Sequence, residues 1–230
     1  MRGRGERDQV GDDERDGRIR LFYESLDALI SYANESLHVS GAQGLSMCSP
    51  DRRLLDETSR VLDALWEHRE LVDSFVAENP WELDERHLET IRPWRHALTG
   101  TYVCVDAQPD SALYLGGGRV FAVRPLVSPA DGGIRATPCL VALTLLPFDG
   151  EVVTDGRIRH LSDAMAPNGA ALLEAQLAAA AARDVIATDA ELVAYERALR
   201  DHRVASGDGR DAGAAPRSPA ELPARSPGTG

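Results

Sequence analysis

The sequence predicts an α+β protein: N-terminal helices, a central antiparallel sheet that is curled or partly barrel-like, C-terminal helices, and a disordered tail at each end. Three observations predict this class. Apolar residues recur at helical spacing through residues 19–98. Short apolar segments separated by tight turns fill residues 99–161. An Ala-rich segment and a capping box, Thr188 to Glu191, favour helices again within residues 168–202.

The two ends of the chain are predicted to be disordered tails. Residues 1–17 consist almost entirely of Arg, Gly, Asp and Glu, and residues 204–230 are rich in Ala, Gly, Ser and Pro. Neither segment carries enough apolar surface to offset the entropy lost on ordering, about 1–2 kcal/mol per residue for the backbone. Residues 18–203 are therefore predicted to form a single domain.

The first zone is predicted to be a series of helices with recognisable ends. Ser49 and Pro50 provide an N-cap and a first-turn proline. Asn79-Pro80 ends a short helix, and Pro93 kinks or ends the next one. The apolar stripes on these helices include Phe22, Leu26, Leu29, Ile30, Val61, Leu62, Leu65, Trp66, Val72, Phe75, Leu88 and Ile91.

The middle zone is predicted to be a sheet of short strands. Thr101–Ala107 alternates between two faces, and Gly116–Gly118 is typical of a hairpin turn. The nearly unbroken apolar segment Cys139–Leu146 predicts a strand buried on both faces. Turns are expected at Pro147–Gly150 and again at Asp155-Gly156, since Asp-Gly pairs favour tight reversals.

The absence of lysine excludes several chemistries. All 25 basic residues are arginine. The chain therefore has no lysine for a Walker A phosphate site, for a Schiff base, or for the ATP site of a protein kinase. No sequence motif indicates a cofactor, and we expect none.

Charge and cysteine content limit the expected partners and location. The net charge is −12, and residues 19–98 hold 15 acidic residues against 8 arginines. Because nucleic acids require a concentrated basic face, we expect no nucleic-acid binding. No apolar segment approaches the roughly 20 residues of a membrane span. The Arg- and Asp-rich first residues contain no apolar core, so we expect no secretory signal. Three dispersed cysteines favour a reducing cytoplasm.

Several segments form a pattern together. They are Leu65-Trp66, the segment from Phe75 to Pro80, Trp94-Arg95, Gly100, and the segment from Leu145 to Gly156, which contains Leu-Pro-Phe-Asp-Gly. This pattern resembles one found in uncharacterised bacterial proteins, over about residues 20–160. The resemblance implies no activity. It implies only that the middle of the chain is one recurrent folded unit.

Three short motifs have the spacing or the residue types of chemical sites. Glu35 with His38 and Asp84 with His87 have the spacing of carboxylate–histidine metal ligands on a helix. Solvated helix faces explain both pairs better, so no metal site is predicted. Ser46 lies in a Gly-Leu-Ser-Met-Cys segment that lacks the last glycine of a nucleophile elbow, and a loop serine explains it better.

Two hypotheses for function follow, and the first is favoured. A non-enzymatic interaction or regulatory module would bind a protein partner through an acidic helical face. The residues expected at that surface are Trp81, Asp84, Glu85 and Glu89. The alternative is a small hydrolase or other enzyme with its site at the helix–sheet junction. Its candidate catalytic residues are His96, His160, Asp155 and Arg119. A cleft at that junction with converging polar groups would favour the alternative.

Overall fold

The structure, a computed structural model, describes residues 5–127, 134, 137–162, 173–175, 177–178, 180 and 184–206, with side chains from residue 14 onward. Its elements confirm an α+β fold, in which helices come before and after a central antiparallel sheet along the chain. They are α1 (Gly5–Leu37), α2 (Arg52–Glu67), α3 (Glu70–Glu78), α4 (Glu85–Ile91), a 3₁₀ helix (Arg92–His96), β1 (Leu98–Gln108), β2 (Ser111–Gly116), β3 (Arg119–Val123), β4 (Cys139–Phe148), β5 (Glu151–Ser162) and α5 (Asp189–Ala205). The described residues of 173–180 are also helical.

The N-terminus differs from the predicted tail. Helix α1 begins at Gly5, so residues 5–17 are helical. Adding a residue to an existing helix costs far less than starting one. The nucleus is the second half of α1, where Phe22 and Leu26 are fully buried. Arg18 strengthens it by pairing with Asp149, at 2.7 Å from Nε to Oδ2. Residues 1–4, and residues 207–230 of the predicted C-terminal tail, lie outside the described residues.

The helix ends follow local chemistry, with one difference from the expectation. Asp51 rather than Ser49 caps α2, since its Oδ1 accepts a hydrogen bond from Arg53 N at 2.9 Å. Asn79 ends α3 in the left-handed region at φ 40°, as the Asn-Pro pair predicts. Helix α4 ends at Ile91, two residues before Pro93, as predicted, and Pro93 lies in the first turn of the 3₁₀ helix that directly follows.

The sheet has the order β3-β2-β1-β4-β5, with every neighbouring pair antiparallel. It is not closed, but it curls until its two edges approach. Arg124, the residue after β3, donates its N–H to Val152 O of β5 at 2.8 Å. We call the gap between β5 and Arg124–Val127 the seam. The face inside the curl carries the buried side chains Tyr102, Cys104, Ala112, Tyr114, Phe121, Val123, Cys139, Val141, Leu143 and Leu145.

One turn of this sheet agrees with the prediction, and the turn after the apolar strand differs from it. Gly117 and Gly118, both at positive φ, form the expected hairpin turn between β2 and β3. The first turn after the apolar strand is shorter than expected, because β4 continues through Pro147 to Phe148 and reverses at Asp149-Gly150. Burial on both faces holds from Leu143 to Phe148, whereas Leu140 and Ala142 are only half-buried.

The predicted turn at Asp155-Gly156 is wrong. These residues form a bulge within β5, which continues to Ser162. Between the pairs Leu143–Ile158 and Leu145–Thr154, β5 takes four steps along the chain where β4 takes two. Gly156 accommodates the distortion at φ 87°, a value that glycine adopts without steric strain.

The helices and the sheet share one apolar core. Phe22 of α1 makes edge contacts with Trp94 and with Phe148 of β4, each at 5.1 Å between ring centroids. Trp94 Nε1 donates to Pro147 O at 3.2 Å. Trp66 also reaches the sheet, through a hydrogen bond to Asp155. Both tryptophans therefore pack against the sheet.

Helix α5 is fastened to the sheet at its N-terminal end. The predicted capping box is present, with Glu191 N donating to Thr188 Oγ1 and Thr188 N donating to Glu191 Oε2. Just before it, Ile186 pairs in parallel with β3 through two backbone hydrogen bonds of 2.9 Å. Leu192 is then fully buried inside the curl of the sheet.

Candidate functional site

A cavity of about 770 Å³ lies at the junction between helices and sheet, and we call it the seam cleft. Its volume falls within the range typical of small-molecule sites, about 300–1,000 Å³. One wall comes from α1 and α2, through Tyr23, Arg52, Asp56, Ser59 and Asp63. The rest comes from the sheet and from the segment after β3. This part comprises Thr99, Ala112, Tyr114, Val123, Pro125, Leu126, Val127, Ala142, Leu143, Thr144, Thr154, Asp155, Gly156, Arg157, Ile158 and Arg159.

The seam cleft contains residues from both faces of the sheet because of the bulge in β5. The bond from Arg124 to Val152 holds the two edges together before the bulge. Beyond it, the extra residues of Asp155-Gly156 bend β5 and interrupt its register, as bulges do. The edges then part. Apolar residues from inside the curl, including Tyr114 and Leu143, line the same cavity as polar residues of α2.

Asp155 and Arg157 form a bonded pair in the wall of this cavity. Arg157 donates to Asp155 Oδ2 from Nε at 3.1 Å and from Nη2 at 2.7 Å. Trp66 Nε1 donates to the same oxygen at 2.9 Å, and Arg157 N donates to Oδ1 at 3.1 Å. The Asp155 side chain is completely buried, so these donors replace the water it has lost.

Arg157 also joins the sheet to α2. Its Nη1 donates to Ser59 O and to Asp63 Oδ1, both at 2.8 Å. A guanidinium carries five N–H groups, and four of those of Arg157 are engaged by described residues. Burial disfavours the charge, but Asp155 and Asp63 outweigh that effect and raise the pKa of Arg157 above its ordinary value. The arginine is therefore a permanent cation in the wall.

Tyr23 contributes a phenol to the helical wall. Burial is the largest cause that raises the pKa of Tyr23 above its ordinary value, followed by the Cys48 thiolate that forms at alkaline pH and by the carboxylates of Asp155 and Asp27. The phenol is therefore protonated at neutral pH and serves as a hydrogen-bonding group. Across the cavity the hydroxyls of Thr99 and Thr144 lie 3.0 Å apart and bond to each other.

The formal charges lining the seam cleft cancel. Arg52, Arg157 and Arg159 carry three positive charges, and Asp56, Asp63 and Asp155 carry three negative charges. The remaining lining is mainly apolar or aromatic: Ala112, Tyr114, Val123, Pro125, Leu126, Val127, Ala142, Leu143 and Ile158. A molecule that fits this surface is largely apolar, has hydrogen-bonding groups on one side, and has no net charge.

The four candidate catalytic residues are not brought together. Asp155 lies in the seam cleft, and Arg119 stacks on the Tyr195 ring at 5.6 Å while donating to Asp184 O at 3.2 Å. His160 is exposed on β5 and pairs with Val141 of β4.

His96 is far from His160. It lies two residues before Leu98, which pairs with Leu145. Val141, opposite His160, and Leu145 are four residues apart on β4, about 13 Å. The two histidines therefore lie toward different ends of the sheet.

His96 instead belongs to a buried ionic network that sequence analysis missed. Its Nδ1 lies 2.6 Å from Glu196 Oε2, and both side chains are only 4% exposed. Arg69 donates to Glu196 Oε1 at 3.2 Å and to Ala97 O at 2.7 Å. Burial raises the pKa of Glu196, but His96, Arg69 and Arg200 outweigh burial and lower it below the ordinary value.

A signal for this network was present in the sequence. Glu196 stands four residues after Leu192, on the apolar stripe of its helix. The apolar stripe is the face that a helix buries, so an acid on that stripe is expected to be buried too. A buried carboxylate needs cationic partners. The sequence does not identify those partners, since Arg69 and His96 lie 127 and 100 residues away.

The residues proposed for a partner surface lie on or near α4. Trp81 is 40% exposed and rests on Phe75, at 5.6 Å between ring centroids. Asp84 caps α4 by accepting from His87 N at 3.0 Å, so it also has a structural role. Glu85 pairs with Arg92 at 3.3 Å. Glu89 is exposed and lines a second cavity, of about 680 Å³, that also includes residues of α1 and the β4–β5 turn.

The weaker motifs have local structural roles. His38 lies beyond the end of α1 at φ 54°, so Glu35 and His38 do not share a helical face. Ser46 Oγ donates to Asp27 Oδ2 at 2.6 Å, in a loop that packs against α1. Within the described residues, no group of three or more His, Cys, Asp and Glu side chains is arranged to hold a metal ion.

Comparisons with protein-family models, with curated proteins and with solved structures found no match. Among the helices of the described part of the chain, none combines the length and apolar character needed to cross a bilayer. The fold and the seam cleft therefore define a class only in structural terms, an α+β protein with a curled, unclosed five-stranded sheet.

Proposed function

We propose that this protein is a non-enzymatic binding module that takes a small, largely apolar molecule without net charge into the seam cleft. The observation that carries the proposal is the cavity between the two sheet edges beside the Asp155-Gly156 bulge, which is lined by Val123 and Val127 on one side and by residues 154–159 on the other. That cavity joins apolar residues from inside the curl to polar residues of α2 in one space of ligand size.

The bonding of Asp155 supports binding rather than catalysis. A general base needs a free lone pair within reach of substrate, and a nucleophile needs an adjacent base. Asp155 is completely buried and accepts four hydrogen bonds, from Trp66 and Arg157. His96 is similarly committed to Glu196. The seam cleft lies at the helix–sheet junction, where polar groups including Asp155 converge, and this position favours the small hydrolase as the alternative. Turnover of a bound molecule by the purified protein would decide for that alternative.

We place this function in the cytoplasm. Cys48, Cys104 and Cys139 are all free thiols, which reducing conditions maintain. A ligand without net charge is also consistent with a protein that does not bind nucleic acid, whose phosphates require a basic surface.

Nile red, an uncharged dye whose fluorescence rises in apolar surroundings, is the probe for the seam cleft. We expect saturable binding of one dye per protein. Val127→Asp should weaken it by at least about tenfold, because burying an unpaired carboxylate against an apolar ligand costs more than about 1.4 kcal/mol. Val127 lines the cavity and is 53% exposed, so the substitution leaves the core intact.

Leu161→Asp is the matched control. Leu161 is also an exposed apolar residue of the β zone, at 44%, but it does not line the seam cleft. This variant should bind the dye as the wild type does. Absence of saturable binding, or equal weakening by both substitutions, would contradict the proposed site. Near-ultraviolet circular dichroism of each variant verifies that the fold is retained.

A second candidate function, docking of a basic protein partner, is favoured by the exposure of Trp81. Tryptophan is enriched among residues that dominate binding energy at protein interfaces. In the chain it precedes the exposed acidic residues Asp84, Glu85 and Glu89 by three to eight positions. Exposed acids attract a basic surface over about 8 Å at physiological ionic strength, so the association should weaken as salt rises.

The test of this surface keeps Asp84, because it caps α4. Glu85→Gln with Glu89→Gln should reduce capture of the partner from the native host at low salt. Glu174→Gln with Asp201→Asn removes the same charge from exposed sites elsewhere and should leave capture unchanged. Loss of capture by both double variants, or by neither, would show that the acidic face is not the docking surface.

A further inference from the structure

Two cysteines face each other directly inside the curl of the sheet. Cys104 of β1 and Cys139 of β4 are register partners in the antiparallel ladder. Both are fully buried in the same apolar cluster. Cys48, by contrast, lies in the exposed loop before α2. The pairing depends on the fold, since 35 residues separate the two buried cysteines in the sequence.

The positions of the two thiols meet the requirements of a disulfide. Directly opposed residues in an antiparallel pair have Cα atoms about 4.5–5.5 Å apart, within the usual disulfide range of about 4.4–6.8 Å. The two side chains are already in contact, because Cys139 forms a hydrogen bond with the Cys104 thiol. A bond between the sulfurs therefore requires side-chain rotation and only a small backbone adjustment.

We propose that Cys104 and Cys139 are a site of reversible disulfide formation, oxidised by a low-molecular-weight disulfide. The thiolate of one cysteine attacks a sulfur of the oxidant and expels one thiolate, which leaves a mixed disulfide. The second cysteine attacks the protein sulfur of that bond and expels the other thiolate. Two protein thiols lose two electrons and two protons, and the oxidant is reduced to two small thiols.

The location of the pair sets the rate of this reaction. Burial, followed by the neighbouring Cys139, raises the pKa of Cys104 to about 12, so very little thiolate exists at neutral pH. Entry of the oxidant requires local opening. Cys139 is the first residue of β4, and the β1–β2 register breaks just after Cys104, so this end of the sheet is the part most ready to open. Formation should therefore be slow and should accelerate with rising pH.

The test incubates the full chain, folded, with oxidised glutathione. The expected product has lost two hydrogen atoms in intact mass, apart from the mass of any glutathione bound to the exposed Cys48. Trypsin, which cleaves here only after arginine, should then release the segments 96–119 and 136–157 joined by a bond that a reductant cleaves. The melting temperature of the oxidised protein should rise by about 5–10 °C, because the bond closes a loop of about 35 residues in the unfolded chain.

Cys48→Ser provides the matched variant, since it removes the exposed thiol and should leave the cross-link intact. Wild-type protein oxidised in denaturant is the second comparison, where Cys48 should also appear in cross-links. The folded protein should give the Cys104–Cys139 bond alone. Glutathione on Cys48 with both segments still reduced after long incubation would overturn the proposal. A folded product with the same mixture of bonds as the denatured one would also overturn it.

Discussion

Replacing Glu196 by alanine is expected to destabilise the folded protein by about 3–5 kcal/mol, measured by urea unfolding. The change leaves His96 and Arg69 buried without their shared carboxylate. Removing one member of a buried ionic network costs this much because the remaining charge stays desolvated. The loss should be larger than for an ordinary surface glutamate, where a substitution changes the free energy of unfolding by about 0.5 kcal/mol or less.

Arg200→Ala is the control for this network. Arg200 also pairs with Glu196, at 3.5 Å, but 38% of its side chain is exposed. An exposed pair contributes about 0–1 kcal/mol, so this variant should unfold close to the wild type. If Glu196→Ala proved as mild as Arg200→Ala, the network would not be the buried anchor that the geometry indicates.

The same carboxylate gives the wild type a dependence on pH. The pKa of Glu196 is lowered in the folded state, and an unfolded glutamate titrates near about 4.3. The unfolded state therefore takes up a proton first as pH falls. The stabilisation by Glu196 is fully present above the unfolded pKa and is lost as pH falls through the folded pKa. Glu196→Ala should show a shallower loss of stability over that acidic range.

Replacing Asp155 by alanine should also cost about 3–5 kcal/mol in the free energy of unfolding. The Asp155 side chain is fully buried, and its partner Arg157 is only 17% exposed. The substitution leaves that guanidinium without its main counter-charge and the Trp66 indole N–H without an acceptor. Fluorescence of the tryptophans during urea unfolding measures the effect directly.

Asp63→Ala separates the buried partner of Arg157 from the exposed one. Asp63 accepts from Arg157 at 2.8 Å, but 64% of its side chain is exposed. Its removal should change the free energy of unfolding by about 1 kcal/mol at most. Equal losses for the two aspartates would mean that the bulge is held by surface charge and not by the buried pair.

Most elements of the fold could be predicted from the sequence, because the interactions that form them join residues only a few positions apart. The Thr188–Glu191 capping box and the turn at Gly117-Gly118 depend on neighbouring atoms alone. The same holds for the apolar stripe of α2. Such features follow from periodicity, capping and glycine conformation, which the sequence displays directly.

The bulge at Asp155-Gly156 and the burial of Glu196 depend on residues far away in the sequence. A positive φ at Gly156 suits a turn and a bulge equally well. Trp66, 89 residues earlier in the chain, holds Asp155 in place and selects the bulge. In the same way, the burial of Glu196 depends on Arg69 and His96. No local pattern distinguishes these outcomes. The sequence therefore placed Asp155 at the helix–sheet junction but could not predict the bulge or the partners that shape the seam cleft there.

The network around Glu196 also constrains the order in which the chain reaches its final structure. Synthesis proceeds from the N-terminus at about 5–20 residues per second, so Glu196 follows His96 by about 5–20 s. During that interval, His96 and Arg69 exist without the carboxylate that they contact in the folded protein. The surroundings of these two residues therefore stay incomplete until α5 has been made. The final docking of α5 completes the environment of residues synthesised 100 or more positions earlier.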